Sequence, residues 1–279
     1  MIHPTAIIHP KAKLHPTVQV GPCAVVDEGV ELGEGCTVGP HVYLTGLTTI
    51  GVGNRFHAGC VIGDAPQDLK YRDLATRLRI GDHNIFREHA TVHRSNTPAE
   101  DTVIGSNNFL MAHSHVAHNC RIGDHVVLVN GALLGGHVTV ADRAFLSGNC
   151  VFHQFVRVGT LALTQGGSVI TQDLPPFTIA QGRNTLCGLN TVGLRRAGFT
   201  PEARLELRRV YLALFRSGRK LGLAVAEARN RFTTPAARVL LDFVAGSKRG
   251  LCADSGRSPT LSKSAATEAP GPDVAEEGE

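Results

Sequence analysis

A chain of 279 residues with 42% hydrophobic content can bury a continuous core in one large domain or two small ones. No Trp, only 11 Phe and 3 Tyr, and 31 Gly suit many tight turns around small inward side chains better than a bulky aromatic core. The net charge of +4 comes without a dense Lys/Arg run, which argues against nucleic acid as a partner, and no stretch approaches the roughly 18 apolar residues of a membrane span.

The opening "MIHPTAIIHPKAKLHP" has no positive region ahead of an apolar run, so the chain reads as cytoplasmic. From Ile2 every sixth residue is apolar as far as Ile62. The register resumes at Ile80, Phe86 and Val92, then runs from Ile104 to Ile170 with Thr164 as its one polar member. The fourth residue after the apolar position is small in nearly every hexad, as in Ala12, Ala24, Cys36, Ser114, Cys120, Ala132 and Ala162, so two columns face inward. Glycine often follows the apolar residue, as a chain turning every six residues requires. This is a hexapeptide-repeat parallel β-helix, in which three hexads close a triangular coil of 18 residues and coils stack at about 4.8 Å. Cys36, Cys60, Cys120 and Cys150 fall in the small inward column, where a thiol packs as a small hydrophobe. Seven cysteines at irregular spacings do not make a disulfide framework.

Two insertions break the register, "DAPQDLKYRDLATRLR" near 64–79 and "RSNTPAEDT" near 95–103, and loops leaving a regular scaffold are common places for function. The β-helix is expected over 1–176, ending at "TQDLPPF", whose prolines cannot continue strand pairing. A connector over 177–188 leads to a small α-helical domain over 189–250, with Thr200, Pro201 and Glu202 as a helix start. Residues 251–279, with six acids and two bases, read as a disordered acidic tail. That split leaves +8 on residues 1–250, which suits an anionic small molecule or an acidic protein partner.

"MAHSHVAHNC" carries His113, His115 and His118 in six residues, none in an inward column, so all are expected to project outward, as are His137 and His153. The 18-residue coil places His118, Gly136 and Gln154 in one vertical column, with His137 and His153 one residue from it. Solvated histidines would need no explanation singly, but several around one column suggest a site. Two chemistries compete. His113 and His118 could hold a zinc with a third His, as in carbonic anhydrases built on a β-helix, or one neutral His could act as general base in acyl transfer. A trimeric scaffold without catalysis is the third reading.

The motifs "QDLKY", "HVAHNC", "GGHVTV", "HQF", "QDLPPF", "IAQG" and "GLRRAGF", in this order and ahead of a helical domain, resemble the UDP-N-acetylglucosamine O-acyltransferase family of lipid A synthesis. The likeness runs to about residue 251. It implies a left-handed coil and a homotrimer with active sites between subunits. It also implies transfer of a 3-hydroxyacyl chain from acyl carrier protein to the glucosamine 3-hydroxyl of UDP-N-acetylglucosamine, without metal or cofactor. By the resemblance His118 is the general base, Gly136 the backbone oxyanion donor and Asn119 an orienter of the imidazole. Gln67, Asp68, Lys70, His115, His137, His153 and Gln154 are substrate-binding positions, and Asn190 and Arg196 hold the nucleotide. Gly166 falls where acyl length is measured, and Arg216, Arg219 and Lys220 would meet the carrier protein. Asn119 stands where the family commonly has Asp, and Val192 and Ala197 replace an acid and a second Arg of some relatives.

Overall fold

Inward apolar columns six residues apart leave the chain one way to bury them, which is to coil. In the computed structural model, which describes residues 1–254 and residue 256, the strands are mostly two residues long and lie in sheets of nine, eight and eleven strands. Each sheet is one wall of a left-handed parallel β-helix. Ile7 pairs with Val25 and Tyr43 with Val61, a spacing of 18 residues that repeats along the prism. The walls enclose Val26, Leu44, Phe86, Leu128, Leu146 and their column neighbours in one continuous core. The four inward cysteines are buried and free, and each Sγ also donates to a carbonyl of the following coil, as from Cys120 to Gly135 O at 3.2 Å. Thr164 is buried too, with its hydroxyl accepting from the Ser147 N–H and meeting Cys150 Sγ.

The turn between walls needs left-handed backbone at the fourth position of the hexad. His41, His83, His89, His113, His125 and His137 all occupy it, with φ from 55 to 60°. Asn and His tolerate that region better than most side chains, so turn chemistry accounts for six of the 14 histidines. His113, which stacks on His89 at 5.3 Å, belongs to this group.

Where the insertions intervene, Ile62 pairs with Val92 and Val92 with Val116, spacings of 30 and 24. The walls stay in register while 12 and then six extra residues loop out. Both loops leave after strands of the nine-stranded wall, Val61–Asp64 and Thr91–His93, and the next strand of that wall is His115–Val116. The two loops and His118 therefore emerge at the same corner in three successive coils.

Two boundaries differ from expectation. Pairing does not end at 176, because Pro175 and Pro176 sit buried at a corner and the strand Thr178–Gln181 beyond them pairs parallel with Leu163–Thr164. That strand forms an antiparallel hairpin with Thr185–Leu189, so the expected connector is part of the eleven-stranded wall. The helices follow as α1 (Thr191–Arg196), α2 (Pro201–Phe215), α3 (Leu221–Arg231) and α4 (Pro235–Ala245), with Thr200 and Thr234 capping α2 and α4. Residues 251–254, expected to belong to the tail, are part of the fold. Cys252 is buried and Ala253–Asp254 adds a strand beside Thr185–Leu189, held because the Asp254 carboxylate accepts from Tyr211 Oη at 2.6 Å and Arg216 Nε at 2.8 Å. Residue 255 and residues 257–279 of that tail lie outside the described residues.

Candidate active site

His118 follows the strand His115–Val116 at the corner where the loops leave, and although it points away from the prism it is only 8% exposed. The second loop covers it. Its Nδ1 lies 2.9 Å from Asn119 Oδ1, and Asn119 is the turn residue of that hexad, with φ 58°. Asn119 in turn accepts from the Asn96 N–H at 3.0 Å and donates through Nδ2 to Ser95 Oγ at 2.8 Å. Asn119 is thus hydrogen-bonded through both Oδ1 and Nδ2 and suits its backbone conformation.

One coil on, Gly136 lies over the Cε1–Nε2 side of the ring. A Cβ there would stand 2.5 Å from His118 Cε1 and 2.6 Å from Nε2, so glycine is what allows backbone and imidazole to approach. A cavity of about 290 Å³ opens at this point, lined by Gln67, His93, His115, His118, Gly136 and Gln154 among others, with the apolar Leu133 and Val151 on its wall. The column expected from the 18-residue spacing is therefore present, together with Gln67 from the first loop.

Asp68 reaches the same corner. Its carboxylate accepts from the Lys70 N–H and from Asn96 Nδ2, both at 2.9 Å, and these bonds hold its pKa below the usual range. His115 bonds Thr91 Oγ1 at 2.7 Å through Nδ1 and meets His93 edge-on at 4.8 Å. His137 meets His118 edge-on at 5.2 Å and stacks on Phe155 at 4.5 Å. Burial, followed by the neighbouring His118 charge, lowers the pKa of both His115 and His137. His93 is lowered further, to about 4, by burial and then His115. Among the described residues of this single chain no three His, Cys, Asp or Glu side chains converge as a metal ion would need.

Other expected positions lie elsewhere. His153 is exposed, with Arg249 Nη2 3.2 Å from its Nδ1, and does not line the cavity. Asn190 caps α1, accepting from the Gly193 N–H and donating to Leu161 O, and Arg196 is exposed on the last turn of α1. Lys70 is exposed on the first loop. A Cβ on Gly166 would meet only Gly148 O, at 3.5 Å, so there is room for a side chain. Arg216 is paired with Asp254 and Arg219 with Glu227, while Lys220 is exposed ahead of α3. A groove of about 580 Å³ beside α1 and α2 is lined by Arg195, Arg204, Arg208 and Arg216 over an apolar floor. Sequence reading missed His93, Thr91, Ser95 and Asn96. The second loop hid them by shifting the coil spacing to 24, which is the spacing that pairs Thr91 with His115.

Comparison with known proteins follows the same lines. Residues 173–252 match the family model described as UDP N-acetylglucosamine O-acyltransferase, domain 2, and residues 11–46 and 101–136 match bacterial transferase hexapeptide (six repeats). The acyl-[acyl-carrier-protein]--UDP-N-acetylglucosamine O-acyltransferase of Syntrophobacter fumaroxidans is 44% identical over 254 residues, covering 90% of this chain and 98% of that protein. The enzyme of the same name from Gloeothece citriformis is 46% identical over 204 residues, 73% of this chain and 74% of that protein. The solved structure of Francisella novicida UDP-N-acetylglucosamine acyltransferase has a TM-score of 0.88 at 35% identity, covering 95% of this chain and 98% of that one. On identity and coverage alike, the chain belongs to the UDP-N-acetylglucosamine O-acyltransferase family.

Proposed function

We propose that this protein moves a 3-hydroxyacyl group from acyl carrier protein to the glucosamine 3-hydroxyl of UDP-N-acetylglucosamine, the first step of lipid A biosynthesis, in the cytoplasm. The observation that carries this reading is the His118 ring, bonded on one edge to Asn119 and facing Gly136 with the other inside a loop-covered cavity. His118 Nε2 takes the proton of the sugar hydroxyl as its oxygen attacks the thioester carbonyl. The tetrahedral oxyanion accepts from the Gly136 N–H, and its collapse releases the carrier thiolate, which takes the proton back from the imidazolium. No metal or cofactor enters these steps. Gln67, Asp68, His115, His137 and Gln154 position the sugar nucleotide and acyl chain around that centre. Lys70, His153, Asn190 and Arg196 lie outside the cavity of this single chain, which supports a homotrimer whose clefts are completed by a neighbouring subunit. The arginine-lined groove beside α2 suits an acidic carrier protein, and Arg219 and Lys220 follow in the link from α2 to α3.

Incubation with hydroxyacyl carrier proteins and UDP-N-acetylglucosamine, with product identified by mass, tests the reaction. The His118→Ala variant is expected to lose about 10²–10⁴ in rate while keeping its fold. Full activity in that variant would sink the general-base role.

A further inference from the structure

We infer that Ser95 is a positioning residue which, through Asn119, fixes the proton of His118 on Nδ1; the inference rests on the general-base reading above. Polarity enters at a backbone carbonyl, which can only accept. Ser95 Oγ lies 2.8 Å from Thr97 O and donates to it, so its single hydrogen is committed. The same oxygen must then accept from its other neighbours, the Thr97 N–H at 3.1 Å and Asn119 Nδ2 at 2.8 Å. Asn119 therefore has one orientation, with its nitrogen towards Ser95 and Oδ1 on the opposite side. There Oδ1 accepts from the Asn96 N–H at 3.0 Å and lies 2.9 Å from His118 Nδ1. An amide oxygen carries no proton, so the imidazole supplies it. Nδ1 is the protonated nitrogen, and Nε2, on the edge facing Gly136, keeps its lone pair for the substrate.

The relay is shielded from water, with Ser95 0% and Asn119 4% exposed, and the Asn119 N–H is anchored on Thr102 Oγ1 at 2.7 Å. A carboxylate at 119 would not need Ser95, because either of its oxygens accepts. An amide is held by Ser95 at its nitrogen and by the Asn96 N–H at its oxygen, and without Ser95 a flip that aims an N–H at Nδ1 and forces the proton onto Nε2 is opposed by the Asn96 N–H alone. The Asn119 relay sets the tautomer without adding a counter-charge. The groups facing His118 are His115 on its own strand, His93 on the preceding coil, His137 on the following turn and Asp68 from the first loop.

The test is a double-mutant cycle on the full chain with two readouts. In the wild-type protein, ¹⁵N shifts of His118 should report the Nδ1–H tautomer. Ser95→Ala should mix the tautomers and lower kcat by about tenfold or more with KM within about twofold, since a wrongly held tautomer is worth up to about 10⁴ in serine proteases. Ser95→Thr, which keeps the hydroxyl, should restore both readouts. In the Asn119→Asp background the same Ser95→Ala change should cost less than about twofold, while the acidic limb of kcat/KM moves to higher pH because a negative charge now faces Nδ1. An equal Ser95→Ala penalty in both backgrounds, or an unchanged tautomer, overturns the relay. Activity surviving in His118→Ala overturns the general-base reading instead, and the tautomer measurement judges the relay independently of it.

Discussion

His93 sits against the site with its Nδ1 buried and without a hydrogen-bond partner among the described residues, and its pKa is held near 4 by burial and His115. An unfolded histidine titrates near 6.5, so between these values the unfolded chain binds the extra proton and stability falls as pH is lowered through that window. At about 1.4 kcal/mol per unit, the loss is on the order of 3 kcal/mol by pH 4, and His115 and His137 act in the same direction. Urea unfolding at a series of pH values should show a midpoint that drops from pH 7 to pH 4, and His93→Gln should flatten that slope. An unaltered slope would place the acid sensitivity elsewhere. Gly166 offers a second residue-level check. With only Gly148 O near its absent side chain, Gly166→Met should fit without unfolding the coil and shift acyl preference to shorter chains, measured by product mass. A preference unmoved by that change would remove Gly166 from the groove.

At the scale of elements, the β-helix was legible because its signal is redundant, with one apolar and one small residue in each hexad repeated along the chain. The corner column of His118, Gly136 and Gln154 followed from the same arithmetic. What the arithmetic could not reach was the polar content that loops and turns impose. Asn54, Asn84 and Asn108 occupy the small inward column yet are buried, and they form a ladder in which Asn84 donates to Asn54 Oδ1 at 2.9 Å and accepts from the Asn108 N–H at 2.9 Å. The ladder spans the coils that carry the insertions, where turn carbonyls of Gly81 and Gly105 also need donors. Asn84→Ala leaves the Asn108 N–H and the Gly105 carbonyl without their partner, while Asn54 Oδ1 keeps the Asn84 backbone N–H, and should destabilise by about 2–4 kcal/mol, read as a lower midpoint in chemical denaturation. A change below about 0.5 kcal/mol would mean that neighbouring coils re-pair around the gap. Likewise His93, Ser95 and Asn96 were invisible as site residues, because a sequence register broken by six residues no longer says which side chains share a corner.

For the whole molecule, the buried acid Asp173 is one of the ties between the helical domain and the prism. Asp173, 1% exposed, accepts from the Arg157 N–H and Nε and from Ser247 Oγ, while the Arg157 guanidinium also donates to Phe243 O and lies 4.4 Å from the Phe243 ring centre. Removing the acid strands a guanidinium half-buried between the two parts. Asp173→Ala should therefore cost about 3 kcal/mol or more and split thermal unfolding into two transitions, with the helices melting first. A single unshifted transition would show that α1 and the apolar contacts suffice.

The corner loops carry a consequence for the entropy of the chain. Closing a coil of 30 residues instead of 18 costs only 1.5RT times the logarithm of their ratio, about 0.5 kcal/mol, and the coil of 24 costs less. The walls on either side keep their register and their buried area. A prism of stacked coils can thus take on the segments that cover a histidine, and so convert a bare corner into an enclosed site, for a closure cost of about 0.7 kcal/mol in all, close to what one buried methylene contributes to its stability.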